Sequence, residues 1–211
     1  GKFAERWVQV ARAYGMHVVE VEVPWGHAVR PEQVAAALAA HPRARMVILT
    51  ASETSTATFH PVAQVAQVVR AHSDETLFVV DAITALGAHD LPFDALGIAL
   101  MACGSQKAFG LPPGLATLAV SDRAWSAFEQ GDLPRYYFDL RRERRAQAKA
   151  QTAFTSPISL VVGLCEALTM MRAEGLTSMF ARQARVAEAV RRGVAALALA
   201  LYSHSPSNAV T

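Results

Sequence analysis

The sequence predicts an α/β protein, a three-layer domain built on a mostly parallel sheet, and three observations carry that reading. Four short apolar runs, Arg45 to Thr50, Leu77 to Val80, Ile98 to Ala102 and Leu115 to Val120, have the continuous character of strands covered on both faces. Between and around them lie longer segments with apolar residues at helical spacing, which implies βαβ units. The composition, 52% hydrophobic and 18% charged over 211 residues with a mean hydropathy of +0.20, suits a chain that buries a large core.

In chain order, His17 to Val23 (HVVEVEV) alternates β-branched and polar residues and reads as a half-exposed strand. Pro31 opens an alanine-rich helix, PEQVAAALAAH, at the position where proline's missing N–H costs nothing. The Arg45–Thr50 strand leads through a polar loop to Pro61, which opens PVAQVAQVVRAH, a helix with valines on one side. The Leu77–Val80 strand stops at Asp81, and the Ile98–Ala102 strand stops at Gly104-Ser105-Gln106-Lys107. Leu115 to Val120 is a fourth strand. Beyond Asp122 come a short helix at Trp125 to Glu129, a polar arginine-rich stretch at Leu140 to Ala150, and two long helices, Ile158 to Glu174 and Leu176 to Leu197, separated by Gly175. Leu199 to Thr211 reads as the start of another strand, and the chain reads as the middle of something longer. We expect two parts: a large domain over residues 1–157, and long helices over 158–211 that lead into a second, smaller domain.

Several function classes drop out. A net charge of +2 implies no large single-sign field, and Glu143 interrupts the Arg141–Arg145 run, so no nucleic-acid partner is expected. No apolar run approaches the length that crosses a bilayer, and Glu5 and Arg6 break the first one, so neither a membrane span nor a signal peptide is expected. The seven histidines have no metal-ligand spacing, and no metal site is expected; His60 reads as a helix-start residue. Cys103 and Cys165 fit no CxxC pattern and read as reduced thiols of a cytoplasmic protein. Lysine occurs only at Lys2, Lys107 and Lys149, whereas arginine carries every other basic charge. Each lysine therefore asks for a reason.

Ligands of parallel α/β sheets bind beyond the carboxyl ends of the strands. Three successive strand ends here deliver Ser52-Glu53-Thr54-Ser55-Thr56, then Asp81, then Ser105-Gln106-Lys107. Taken singly, the aspartate could be a cap, the lysine a loop charge and the hydroxyl run a turn. Together, a lysine and a carboxylate at one sheet edge suit a pyridine cofactor: the lysine binds its aldehyde and the aspartate pairs with its ring nitrogen.

The segment Val80 to Gly87 (VDAITALG), followed by Gly104 to Leu115 (GSQKAFGLPPGL), resembles the class V aminotransferases of fold type I, and within them the alanine/serine–glyoxylate (or pyruvate) group. Thr50 to Ala57 is similar to that group's H-x-E-S/T-S-T-G cofactor loop, and Gly1 to Trp7 to its N-G-x-F-G-x-R helix start. Leu133 to Leu140 and Gln151 to Leu160 continue the likeness. The resemblance implies pyridoxal 5'-phosphate as cofactor, Lys107 as its Schiff-base lysine and proton shuttle, and Asp81 as partner of the pyridine nitrogen. It further implies Ile83 against the ring face, Thr54 near the ring substituents, Gln106 at the phosphate, and Thr155 reaching the phosphate of a partner subunit. The implied unit is a homodimer with shared sites that passes an amino group from serine or alanine to glyoxylate or pyruvate. A cysteine desulfurase or other lyase of the same fold is the alternative; it expects a histidine before the lysine, where this chain has Gln106. The family's glycine after the S-T run is Ala57 here, an acidic position is Ala99, and a tyrosine position is Thr152. The family's phosphate loop and ring-stacking aromatic are expected before Gly1, and its substrate-carboxylate arginine after Thr211.

Overall fold

The structure is a computed structural model and describes all 211 residues. Helix α1 (Lys2–Ala13) opens the chain, followed by α2 (Pro31–Ala40) and strand β1 (Met46–Thr50). A two-stranded hairpin, β2 (Ser52–Glu53) with β3 (Thr58–Phe59), precedes α3 (Val62–His72) and β4 (Leu77–Asp81). Then come β5 (Leu100–Gly104), β6 (Ala116–Val120), α4 (Asp122–Gln130), α5 (Leu140–Gln147), α6 (Ile158–Glu174) and α7 (Leu176–Ala196).

The main sheet has the order β1-β4-β5-β6. Its first three strands are parallel, because α3 carries the chain back between β1 and β4 and a long crossover does the same between β4 and β5. No helix lies between β5 and β6, so the chain returns directly and β6 runs antiparallel. Alternation divides the sheet into two faces. Phe78, Val80 and Ala82 pack with Val34, Leu38, Val62, Val65 and Val69 of α2 and α3 to form the core. Leu77, Val79 and Asp81 point the other way, where Asp81 meets α1 and Leu77 lies beside Arg123 and Ala127 of α4, which gives three layers.

Four sequence expectations change. His17 to Val23 forms no strand: Val19 and Val21 are exposed, and an alternating segment becomes a strand only where a neighbour accepts its ladder bonds. Leu199 to Thr211 is likewise no strand, making only an isolated bridge from Pro206 to Thr58. Its hold on the body is side-chain bonding instead. Ser207 Oγ accepts from Ser52 Oγ at 2.7 Å, Ser203 Oγ lies 2.9 Å from Thr58 Oγ1, and the Asn208 amide donates to His89 Nε2 at 3.1 Å. Finally, β1 is half-buried rather than fully buried, since it is the sheet's edge strand and Met46 is exposed. The third strand also starts at Leu100 and runs through Gly104, two residues later than its apolar pattern suggests.

The polar loop after β1 folds into the β2–β3 hairpin, which turns through Ala57 at φ 54°. That is the position where the resembled family has glycine, and the left-handed backbone explains why.

Candidate active site at the strand ends

Because β1, β4 and β5 are parallel, their exits stand side by side. Thr50 is in register with Asp81, and Asp81 with Ala102. The side chains of these three residues therefore share the α1 face of the sheet.

Asp81 is 5% exposed and meets two donors. The Ile83 amide donates to Oδ1 at 3.1 Å, and the indole Nε1–H of Trp7 donates to Oδ2 at 2.8 Å. The first is a local turn that also places Ile83 beside the carboxylate. The second crosses from α1. Next to Asp81 the Thr50 hydroxyl is buried with no hydrogen-bond partner, an open polar group at the level of the carboxylate.

Thr54 is brought to the same edge by its own hydroxyl, which lies 2.6 Å from Thr84 Oγ1 and so joins the loop after β1 to the loop after β4. Three residues later in that second loop, Gly87 (φ +87°) lets the chain approach the lysine loop: a Cβ at Gly87 would stand 2.5 Å from the Ala108 methyl. The Asp81 loop and the Lys107 loop thus touch.

Lys107 begins a tight turn, its carbonyl accepting the Gly110 amide at 2.9 Å. Buried Ser105 pins both ends of this loop, donating to the Pro112 carbonyl at 2.7 Å and accepting from the Leu115 amide at 3.2 Å. Helix α6 lies over the loop, for side chains at Gly163 and Gly114 would run into Leu111 and Leu160 respectively. The Lys107 ammonium takes part in none of the ion pairs or side-chain hydrogen bonds of the structure. Gln106 is exposed, and its Oε1 bends back over Gly104, where a Cβ would meet both Gln106 and Ile83. The small residues Ala102 and Gly104 therefore leave a flat cradle between Asp81, Ile83 and the lysine loop. An acceptor for a ring N–H, an unpaired primary amine, hydroxyls and a floor of small residues are the groups a pyridoxal phosphate ring requires, so these residues fit it.

Thr155 stands apart. It is exposed in the coil between α5 and α6, and no side-chain hydrogen bond links it to the strand-end residues.

Two residues at this edge were not singled out by sequence reasoning. Trp7 is one, and Phe3, one helical turn before it and partly exposed, places a second aromatic on that side of α1. The other is Glu53, buried at 1% exposure. Its Oε2 accepts the Phe3 and Ala4 amides, each at 3.1 Å, while its Oε1 accepts the Ser55 amide at 3.0 Å and hydroxyl at 2.7 Å. Burial by itself raises this carboxyl, but the Ser55 and Ala4 donors outweigh it and hold Glu53 below the ordinary carboxylate value. The amino end of α1, an anion site by its free N–H groups, is thereby already filled. A lone carboxylate within a run of hydroxyls was the available sequence signal.

Cys103 follows Ala102, so its thiol faces the core side, and burial pushes it above the usual thiol range. That is an inert packing thiol. The Arg141–Arg145 segment forms α5, with Arg142 over the Tyr136 ring at 4.2 Å and Arg144 over Trp125 at 4.6 Å. His60 accepts the Val29 amide at Nδ1, 3.0 Å, and so ties the loop before α2 to the start of α3.

The description of the class-V aminotransferases matches residues 3–209. The chain belongs to this family. It is 42% identical over 205 residues, 96% of its length, to the "Soluble hydrogenase 42 kDa subunit" of Anabaena cylindrica, and covers 53% of that protein. It is 36% identical over 98% of its length to the L-aspartate–glyoxylate aminotransferase of Paracoccus denitrificans, 52% of which it covers. Among solved structures it is similar to the alanine–glyoxylate aminotransferase of Nostoc sp., with a TM-score of 0.91 and 28% identity over 98% of this chain and 55% of that one. The chain thus spans about half the length of the curated relatives it matches. This class-V aminotransferase chain carries no group of three or more His, Cys, Asp or Glu side chains that could hold a metal ion, and no helix long and apolar enough to cross a membrane.

Proposed function

We propose that the protein of which this chain is part is a pyridoxal-phosphate-dependent transaminase that moves an amino group from a small amino acid, serine or alanine, to glyoxylate or pyruvate. One observation carries the reading: the buried Asp81 carboxylate and the unpaired Lys107 amine lie on adjoining loops that touch at Gly87 and Ala108. Relatives named as aspartate–glyoxylate and serine–glyoxylate aminotransferases support the substrate class. The word hydrogenase in other relatives' names has no counterpart in this chain's own residues, whose two cysteines lie unpaired on β5 and α6. Those free thiols fit a reducing compartment, the cytoplasm.

The cofactor, when bound, supplies an electron-withdrawing ring conjugated to the substrate's α-carbon. Lys107 Nζ, a primary amine with no ion-pair partner, would hold the cofactor's aldehyde as a nucleophile and would serve as the base that moves the proton at the substrate's α-carbon. Asp81 would pair with the ring nitrogen and hold a proton there. Ile83 and Phe3 supply apolar surface to the ring, Thr54 a hydroxyl to its substituents, and Gln106 a donor to its phosphate. Thr155 serves the phosphate of a second copy in a homodimer with shared sites; its exposure and its position just before α6 leave it free to do so. We retain the division into a cofactor domain, residues 1–157, and helices leading to a smaller domain, residues 158–211.

Borohydride reduction of the cofactor-loaded protein and peptide mapping test this. The pyridoxyl label should sit on Lys107, and Lys107→Ala should remove the visible absorbance. A label on Lys2 or Lys149 defeats the assignment.

A further inference from the structure

Trp7 has an indole that reaches the one buried carboxylate on which the proposed chemistry turns. Its Nε1–H lies 2.8 Å from Asp81 Oδ2, across 74 residues of sequence. An indole N–H only donates and does not titrate, so this partner adds direction to the carboxylate without competing for its proton. The Ile83 amide holds the other oxygen at 3.1 Å. The two donors approach from different elements, α1 and the loop after β4, and together they define the plane of the carboxylate. Each oxygen keeps a lone pair free.

Helix α1 is itself held. Glu53 accepts the amides of Phe3 and Ala4, and Trp7 follows one turn later on the same helix. The loop after β1 therefore fixes the start of α1, and α1 fixes Asp81. Thr50, in register beside Asp81, presents a buried hydroxyl with no partner, so Trp7 alone supplies a side-chain donor to this carboxylate.

We propose that Trp7 is a positioning residue: its N–H locks Asp81 in the orientation that aims a free lone pair at the nitrogen of the cofactor ring. This rests on the function proposed above. The contact is local to the ring nitrogen, so its loss should be felt only by a ligand that has one.

The test uses Trp7→Phe, and a second variant with benzothienylalanine at position 7, which keeps the fused-ring shape but has sulfur in place of N–H. Equilibrium binding is titrated with pyridoxal phosphate and with its analogue carrying C–H in place of the ring nitrogen. Both variants should bind pyridoxal phosphate roughly tenfold more weakly, the scale of one lost hydrogen bond to a charged group, and the carbon analogue within about twofold of the parent chain. In an Asp81→Ala background, which leaves the indole N–H no side-chain acceptor there, Trp7→Phe should leave pyridoxal phosphate binding unchanged. Unchanged affinity of Trp7→Phe for pyridoxal phosphate overturns the inference. So does an equal loss for both ligands, or a further loss on top of Asp81→Ala, since either marks Trp7 as packing. The titrations use the whole protein of which this chain is part: if it takes up no pyridoxal phosphate, the proposed function falls and this inference with it; if it binds and only Trp7 proves indifferent, the function stands alone.

Discussion

Replacing Glu53 with glutamine isolates the contact that holds α1 on the sheet. The carboxylate accepts four hydrogen bonds, from the amides of Phe3, Ala4 and Ser55 and from the Ser55 hydroxyl. Glutamine keeps one accepting oxygen and turns an NH2 group toward the other pair of donors. If that pair is the helix amides, two bonds vanish and two buried N–H groups face a third donor. The Ser55 hydroxyl, at an exposed residue, can rotate to accept from the new NH2, so the amide oxygen is expected to stay on the helix side. The loss is then the charge assistance of two bonds and one orphaned Ser55 amide, about 2–4 kcal/mol. With a urea m-value of roughly 2–3 kcal/mol/M, the unfolding midpoint should drop by about 1 M at pH 7.

The same substitution predicts a pH signature. Glu53 is held below its ordinary value in the fold, so its contribution is complete above the unfolded-state value and fades as pH falls through the lower, folded one. The gap between the parent chain and Glu53→Gln should therefore be constant from pH 7 to 5 and close below about pH 4. A variant within about 0.5 kcal/mol of the parent at pH 7, or a gap that does not move with acid, would refute the argument that this carboxylate is the fastening of α1.

Burial lowers both His60 and His89 to about 4, and each acts as an acceptor for an amide, so both are neutral in the fold and gain protons on unfolding once pH drops below about 6.5. Stability should fall between pH 6.5 and 4 by roughly 2–3 kcal/mol per histidine, and His60→Asn with His89→Gln should flatten that slope in urea titrations. Ala57→Gly, at φ 54°, should raise stability by about 0.5–1 kcal/mol, seen as a higher melting temperature; no gain would mean the hairpin has relaxed around alanine. Asp81→Asn should keep cofactor while slowing the amino-donor half-reaction by roughly a hundredfold or more, and an unimpaired variant would reduce Asp81 to a turn residue. Mixing Thr155→Ala with Lys107→Ala chains should restore part of the activity if sites are shared between copies, because one site then carries neither lesion; no recovery in proven mixed dimers would return Thr155 to its own subunit.

Local pattern was sufficient for much of this molecule. The apolar runs marked β1, β4, β5 and β6, helical spacing marked α2, α3, α6 and α7, and the residues left at the strand exits pointed to Asp81 and Lys107. Those features are legible because side-chain periodicity is a property of neighbouring residues, and a parallel sheet delivers its strand ends to one edge whatever the details. Other features depended on what lay opposite. His17 to Val23 alternates like a strand and finds no ladder partner, while Leu199 to Thr211 is held by the serine hydroxyls at 203 and 207 and not by strand pairing. The direction of β6 followed from the absence of a crossover helix, and the half-burial of β1 from its place at the sheet edge. The bonds that shape the site, Trp7 to Asp81, Glu53 to the start of α1 and Thr54 to Thr84, join residues 30 to 74 positions apart. Sequence by itself determined the four strands of the main sheet and the long helices, and it pointed to Asp81 and Lys107 at the strand ends. Only the tertiary structure decided which side chains hold them in place, since a hydrogen bond forms where donor and acceptor arrive within about 3 Å, and no local periodicity encodes that arrival.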